Sequence, residues 1–370
     1  MIPYCPSQII IQEDSWRDST TYEILEKLKG ISTRTIEDIT VLLPGKDRAS
    51  SKFSYPKNTL VLMRYPGNFV KLCQGSGAEI CCNCFIVSYV SNCHFECTYC
   101  VLQSYLNNPA MIIYTNIGDL MDEVRETLSH SPNRFFRIGT GELSDSLALD
   151  HITCYTQRLV PFFASLPNGI LELKTKSDQI ENLKGLDHGG HTIVSWSMNT
   201  NRICHTEEFK TSTFEARLAA ARQCQEWDYK LGFHFDPLIH YPGWETEYQE
   251  AVKEIFSTID PQRIAWISLG ALRFTPHLRT IIRKRFPKSA IPYGEFVPGH
   301  HGKLRYFRPI REEMYRRIRS WIHEEAPQVF VYLCMENRTV WEQSFGEAPN
   351  SLLSEQMDAL VCVANQKPSC

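Results

Sequence analysis

The chain has 370 residues, 43% hydrophobic and 11% aromatic, enough to bury a core of enzyme size as one large α/β domain or two ordinary ones. With 39 basic against 42 acidic residues its net charge is −3, which excludes a wholesale polyanion-binding surface and leaves room only for a local basic stripe. No stretch approaches the roughly 20 apolar residues that span a bilayer, and the start, MIPYCPSQIIIQEDSW, has no basic segment ahead of an apolar run, so a cytoplasmic protein without membrane contact is expected.

In chain order, residues 1–80 carry one convincing helical segment, TYEILEKLKG, and a polar loop, LPGKDRASSKFSYPKN; they read as an N-terminal extension. The main unit is expected over 81–340 and a C-terminal tail with helical character over 341–370. An apolar strand, CFIVSYV, leads into CHFECTYC at 93–100. From about residue 111, β-branched apolar runs alternate with amphipathic stretches: MIIYTN with IGDLMDEVRETLSH, FFRIGTGE with LALDHITCYTQRLVPFFASL, ILELKTKS with DQIENLKGL, and TIVSWSMN with FEARLAAARQCQEW. The series continues through KLGFHFDPLI, RIAWISLGAL and their following helices to VFVYLCMEN. This alternation predicts βα units around a parallel sheet, open or curled into a barrel. The strand candidates end in GTGE, KTKS, SMNT, FDP, LGAL and MEN, which together read as the rim of one site, since ligands sit at the carboxyl ends of parallel strands. Each cluster taken singly reads equally well as a helix cap or turn.

A late stretch, HHGKLRYFRPIREEMYRRIRSW, interleaves Lys303, Arg305 and Arg308 with Tyr306, a pattern suited to phosphate contact and base stacking. Its plain alternative is a solvated helix whose charges pair with Glu312 and Glu313. His234, Asp236 and His240 in FHFDPLIHYPGWE line a strand end, and Cys73, Cys81, Cys82 and Cys84 raise the question of a second metal site.

Fourteen cysteines in a chain of this size and compartment serve metal, catalysis or plain burial more often than disulfides. In CHFECTYC, Cys93, Cys97 and Cys100 crowd one loop. Thiolates bind soft metals, so the loop is either half of a zinc site, completed by CCNC at 81–84 or by His94, or three ligands of a cubane iron–sulfur cluster. Three thiolates on a cubane leave one iron open to chelate a small ligand.

The CxxxCxxC spacing resembles the radical S-adenosylmethionine superfamily. The resemblance implies a partial (β/α)6 TIM-type barrel in which Cys93, Cys97 and Cys100 hold a 4Fe-4S cluster and S-adenosyl-L-methionine occupies the fourth iron. One-electron cleavage of that cofactor would yield a 5′-deoxyadenosyl radical that abstracts hydrogen from substrate. It further implies that Gly139, Thr140, Gly141 and Glu142 in FFRIGTGE hold the cofactor's amino group.

CTYCVLQSYLNNP, RIGTGELSDSLALDH, ELKTKS, SWSMNT, YGEF and KLRYFRP together are similar to the spore photoproduct lyase family over most of residues 60–335. That similarity implies a DNA-repair lyase acting on a methylene-bridged thymine dimer, an electron donor such as flavodoxin or ferredoxin, and a monomer. It also places Lys176 at the cofactor carboxylate and Ser197 or Asn199 at its ribose or carboxylate. Two departures stand out. The family's hydrogen-donor cysteine aligns with Glu142, and the tyrosine expected after the last cluster cysteine is Val101, although Tyr99 within the loop is kept as a catalytic candidate. A carboxyl O–H bond is too strong to give up a hydrogen atom readily, so Cys334, followed by Cys154, becomes the candidate donor; each also reads as a buried small thiol. Two alternatives stay open: a radical enzyme acting on RNA, a peptide or a small metabolite, and a non-catalytic nucleic-acid-binding protein with structural zinc.

Overall fold

The computed structural model describes residues 3–38, 57–73, 79–106, 110–299, 302–349 and 352–362. Its strands fall mainly into two sheets. The first joins Gln8–Gln12, Ser32–Ile36, Thr59–Met63 and Met111–Tyr114 in parallel, with Val90–Ser91 antiparallel at its edge. Gln8–Gln12 is a β-branched QIIIQ whose three isoleucines are buried, and Thr59–Met63 and Met111–Tyr114 are buried throughout, as strands covered on both faces must be.

The second sheet is the half-barrel expected from the alternation. It contains β1 (Lys71–Leu72), β2 (Phe85–Ile86), β3 (Phe136–Gly139), β4 (Gly169–Thr175), β5 (Thr192–Ser197), β6 (Lys230–Leu238), β7 (Ile264–Ala271) and β8 (Val331–Leu333). They lie side by side in chain order, β2 to β8 parallel and β1 antiparallel at the edge. Crossover helices such as Phe214–Glu226, Trp244–Thr258 and Arg308–Glu325 follow the strands, as parallel neighbours require. Their starts are fixed locally: Thr200, Thr213, Thr275 and Asn337 each accept the backbone N–H three residues on.

Two expectations change. MIIYTN does not open the barrel series; it pairs with Thr59–Met63 in the first sheet. CFIVSYV is not one strand either: Phe85–Ile86 lies in the half-barrel, and Val90–Ser91 crosses into the first sheet. An apolar run records burial, not the sheet that buries it. The crossing matters, because it ties the cysteine loop to both sheets. The loop begins two residues after Val90, at Asn92, whose φ of 73° lies in the left-handed region that asparagine tolerates.

Inside the half-barrel the inward side chains form a polar core. Glu172 on β4 accepts hydrogen bonds from Ser195 at 2.6 Å, His234 at 2.8 Å and the Trp266 indole at 3.2 Å. Gly232 makes room for this group, since a Cβ there would stand 2.4 Å from the Ser195 hydroxyl and 3.1 Å from Trp266 Nε1. Near the start of β3, Arg137 reaches Asp358 of the helix Leu353–Cys362 at 2.7 Å, which docks the C-terminal tail on the barrel. Among the described residues no helix is long and apolar enough to cross a membrane.

Candidate active site

Cys93 and Cys97 are buried and Cys100 is half-buried on the loop that leaves Val90–Ser91. The three thiols sense one another's charge. Burial pushes the Cys93 thiol up to about 12 and drives Cys97 well above its ordinary value, with Lys176 pulling the other way. Loading with metal must therefore displace thiol protons, which makes assembly of the site pH-dependent.

The loop is held by a distant segment. Glu208 and Phe209 pair antiparallel with Cys97 and Glu96. Glu207 receives the Thr98 hydroxyl at 2.5 Å, and its carbonyl accepts the Thr98 N–H at 2.8 Å. The Tyr99 hydroxyl donates to Glu208, which also binds Arg217 at 2.6 Å, both charged groups being almost fully buried. Burial disfavours the Glu208 charge, but Arg217 and Lys176 outweigh it and hold the carboxyl below its usual range. Arg217 finishes the clamp by donating to the carbonyls of Ser212 at 3.0 Å and Ser197 at 2.8 Å.

Lys176 follows β4 at the same end of the barrel, and its ammonium lies 5.8 Å from the centre of the Tyr99 ring. Desolvation opposes its charge, yet Glu208 and Cys97 more than compensate and raise its pKa. Asp145 aims this segment: its carboxylate accepts from the N–H groups of Leu147 and Ala148 at 3.0 Å each, from Thr175 at 2.7 Å and from the Lys176 N–H at 2.6 Å. Gly141 lies against β4 so tightly that a Cβ would meet Lys174 Cβ at 3.1 Å and its carbonyl oxygen at 3.3 Å, whereas at Gly139 nothing lies closer than 3.9 Å. The backbone above Gly139 is thus open to a ligand.

The other expected residues divide. Thr140 is buried and donates to Ser146 at 2.6 Å, and Glu142 stands exposed at the end of the GTG segment. Ser197 is buried at the end of β5, beneath the clamp. The Asn199 amide is engaged internally, with Pro237 O at 2.9 Å and the Tyr248 hydroxyl at 2.6 Å. Tyr99 is likewise committed to Glu208. Cys334 lies just past β8, where Arg273 Nη2 approaches its sulfur at 3.7 Å, and Cys154 is held by Lys27 and Asn182. In the basic stretch, Arg305 binds Glu79 at 2.7 Å and Glu336 at 3.3 Å, and Tyr306 is buried with its hydroxyl taking the His240 N–H. Arg311 pairs with Glu336, while Arg316 and Arg317 pair with Glu313, so much of this stretch is the paired helix of the plain alternative. Lys303 is half-buried and Arg308 exposed, the latter with only a 3.3 Å contact to Glu312.

Asp145, Glu207, Glu208, Arg217 and Lys174 carry much of the site and were not singled out from the sequence. The Lys174 ammonium lies near Glu172 and Asp236 with no hydrogen bond or ion pair among the described residues, and ELKTKS had been read for Lys176 rather than for Lys174. A single zinc ion needs four donors on one centre. Among the described residues no group of three or more His, Cys, Asp or Glu side chains is placed to hold one. Three thiolates on separate irons of a cubane do not need to meet that closely, so the donor set fits a cluster better than an ion.

Comparison with known proteins agrees. The family model described as spore photoproduct lyase matches residues 6–336. A spore photoproduct lyase of a Geobacillus species is 27% identical over 345 residues, 90% of this chain and 99% of that one. The Bacillus subtilis protein of the same name is 24% identical over 323 residues, 84% and 92% of the two chains. A solved spore photoproduct lyase mutant with bound AdoMet and dinucleoside spore photoproduct superposes with a TM-score of 0.79 at 24% identity, covering 90% of this chain and all of the other. A second mutant structure gives 0.80 with the same coverage. With its cysteine loop, its half-barrel and a family match over nearly its whole length, the chain belongs to the spore photoproduct lyase family of radical S-adenosylmethionine enzymes.

Proposed function

We propose that the protein is a radical S-adenosylmethionine lyase that opens a methylene-bridged thymine dimer in DNA. The observation that carries this reading is the clamped loop of Cys93, Cys97 and Cys100 at the mouth of a half-barrel, with the Lys176 ammonium beside it. The three thiols would hold a 4Fe-4S cluster. Gly139 leaves backbone bare for the cofactor's amino-acid portion, Gly141 lets that segment pack against β4, and Lys176 supplies the cation for the cofactor's carboxylate. When bound, cluster and cofactor supply a 5′-deoxyadenosyl radical.

The chain's own residues do the rest. Glu207, Glu208 and Arg217 keep the loop from shifting as the thiols lose their protons, and Tyr99 acts through that clamp as a positioning residue. Ser197 lines the floor near the cofactor, whereas Asn199 shapes the turn. Nucleic-acid contact falls on Lys303 and Arg308, with Phe307 exposed between them and Arg308's neighbours paired within the protein. We place the enzyme in the cytoplasm as a monomer, served by a flavodoxin- or ferredoxin-type electron donor.

Anaerobic reconstitution tests this. Iron and sulfide should be incorporated, and reduction should release 5′-deoxyadenosine from the cofactor. Cys97→Ala should lose both, and retention of either would overturn the assignment. Binding to a lesion-bearing oligonucleotide should weaken steeply with salt as phosphate contacts release counterions. Salt-independent binding would move the substrate away from nucleic acid.

A further inference from the structure

The clamp on the cysteine loop has an outer side. Glu208 and Phe209 run antiparallel to Cys97 and Glu96, and successive side chains on a strand face opposite ways, so Glu208, across from Cys97, is buried while Phe209 is 41% exposed. The Phe209 ring stacks on Phe286 with 5.9 Å between centres, just past the helix Pro276–Arg285. That helix end is pinned to the cysteine loop at two places. Arg285 donates to the Gln103 side-chain carbonyl, and the Gln103 amide donates to the backbone carbonyls of Cys97 at 3.0 Å and Thr98 at 2.9 Å. Ser289 donates to Glu207 at 2.7 Å, the same carboxylate oxygen that receives the Thr98 hydroxyl. The turn 285–289 is thus fastened to the loop through two intermediates, Gln103 and Glu207.

The charge around Phe209 is one-sided. The last turn of the helix carries Arg283, Lys284 and Arg285, and Lys288 follows; Lys284 and Lys288 are exposed. Beside Phe209 stands Lys210, 57% exposed and bound to Glu96 at 2.7 Å, and Lys57 donates to the Phe95 carbonyl at 2.5 Å. Burial opposes the Glu96 charge, yet Lys210, Lys57 and Arg285 hold its carboxyl below the usual range, so cations from three segments bear on one spot. A helix dipole accounts for basic residues in the last turn. It does not account for Lys288, Lys210 or Lys57, which lie outside that helix. In a chain of net charge −3 this is a concentrated basic face around an exposed aromatic ring.

We infer that Phe209 and the basic turn beside it form the docking face for a small acidic protein that carries single electrons; this rests on the radical reading above. A cluster on Cys93, Cys97 and Cys100 is reduced from outside, and the barrel side of the loop is given over to cofactor and substrate. At Phe209 the wall is one strand thick, since the residue next to it lies directly across the ladder from Cys97. The cations steer an acidic carrier and set its orientation, and the exposed ring gives the contact an apolar centre. In the transfer one electron leaves the carrier's reduced group and arrives on the cluster. The carrier is oxidised by one electron, the cluster is reduced by one, and no bond is made or broken.

The first test reads binding, not activity. Oxidised flavodoxin, used as the acidic carrier, should bind the full-length chain, reconstituted or cluster-free, in titration calorimetry, and the binding should weaken as salt screens the contact. Lys284→Glu combined with Lys288→Glu should weaken it about tenfold, whereas Lys253→Glu, exposed on the helix Trp244–Thr258, should leave it unchanged. Carbodiimide should cross-link Lys284 or Lys288 to a flavodoxin carboxylate in peptide mass maps. In the reconstituted enzyme the double variant should form 5′-deoxyadenosine about tenfold more slowly with sub-saturating reduced flavodoxin, and at the wild-type rate with dithionite. Flavodoxin that does not bind, binding indifferent to the double variant, or an equal loss with both reductants would overturn the docking face. A wild type that releases no 5′-deoxyadenosine with dithionite would instead sink the radical reading, whatever the binding shows.

Discussion

The stretch 93–100 and the stretch 73–84 are both rich in cysteine and both border the half-barrel, but they are built to opposite ends. In 93–100 the sulfurs are spaced by three and two residues, and the second half of the loop is tied down from outside: Cys97 pairs with Glu208, Thr98 with Glu207, Tyr99 with Glu208, and Glu96 with Lys210 at 2.7 Å. Among the described residues of 73–84, the ties to distant segments fall on the flanking residues and on backbone: Arg305 binds Glu79 at 2.7 Å, the Ile80 N–H reaches the Glu336 carbonyl at 2.9 Å and Arg137 donates to the Cys82 carbonyl. Spacing and a buried side-chain clamp, rather than the number of thiols, set the cluster loop apart.

The largest effect is expected where the restraint on 93–100 is buried. Glu208→Gln leaves Arg217, 0% exposed, without its charge partner, and breaking such a pair removes about 3–5 kcal/mol of stability. Urea unfolding should show that loss, and reconstituted iron should fall with it; a variant as stable as wild type would mean that the clamp is not what fixes the loop.

Asp358→Ala makes the converse cut. It frees Arg137, 5% exposed, at a cost of about 1–3 kcal/mol. Alkylation of Cys82 should speed up while iron incorporation stays at the wild-type level. Loss of iron would show that the two stretches are coupled.

Between them lies the polar core, which predicts a pH dependence. Burial, reinforced by Lys174, holds His234 below its ordinary 6.5 despite Glu172. A histidine kept neutral in the fold favours folding fully above the unfolded pKa, and that contribution drains away as pH falls below it. Stability should therefore drop by up to about 1.4 kcal/mol per pH unit between about pH 6.5 and the lowered folded value. His234→Gln should flatten this slope, and an unchanged slope would assign it to other groups.

The smallest effect is expected at Lys210→Met. Its partner Glu96 is 27% exposed and Lys210 itself 57%, so the pair contributes about 0.2–1 kcal/mol at most. A larger loss would shift the clamp from its buried half to its surface half.

Much of the architecture was legible. Runs such as IAWISLGA, buried at all eight positions of β7, announce parallel strands covered on both faces, and their alternation with helices gives the half-barrel. The cysteine loop was legible for a related reason: eight consecutive residues cannot separate far, so their spacing alone limits what three thiols can hold. Gly141 was readable as part of GTG, although the need for glycine there comes from Lys174 on the neighbouring strand.

What sequence could not decide depends on partners far along the chain. Thr98 and Glu207 are 109 positions apart, and nothing in Glu207-Glu208 marks it as different from any exposed acidic pair. Arg305 looked like a phosphate ligand until Glu79, 226 residues earlier, was found to neutralise it. Periodicity and motif spacing report the faces and chemistry of a single segment; which charge is buried against which, and which sheet receives MIIYTN, is set by burial and pairing free energies that exist only once the chain has closed on itself.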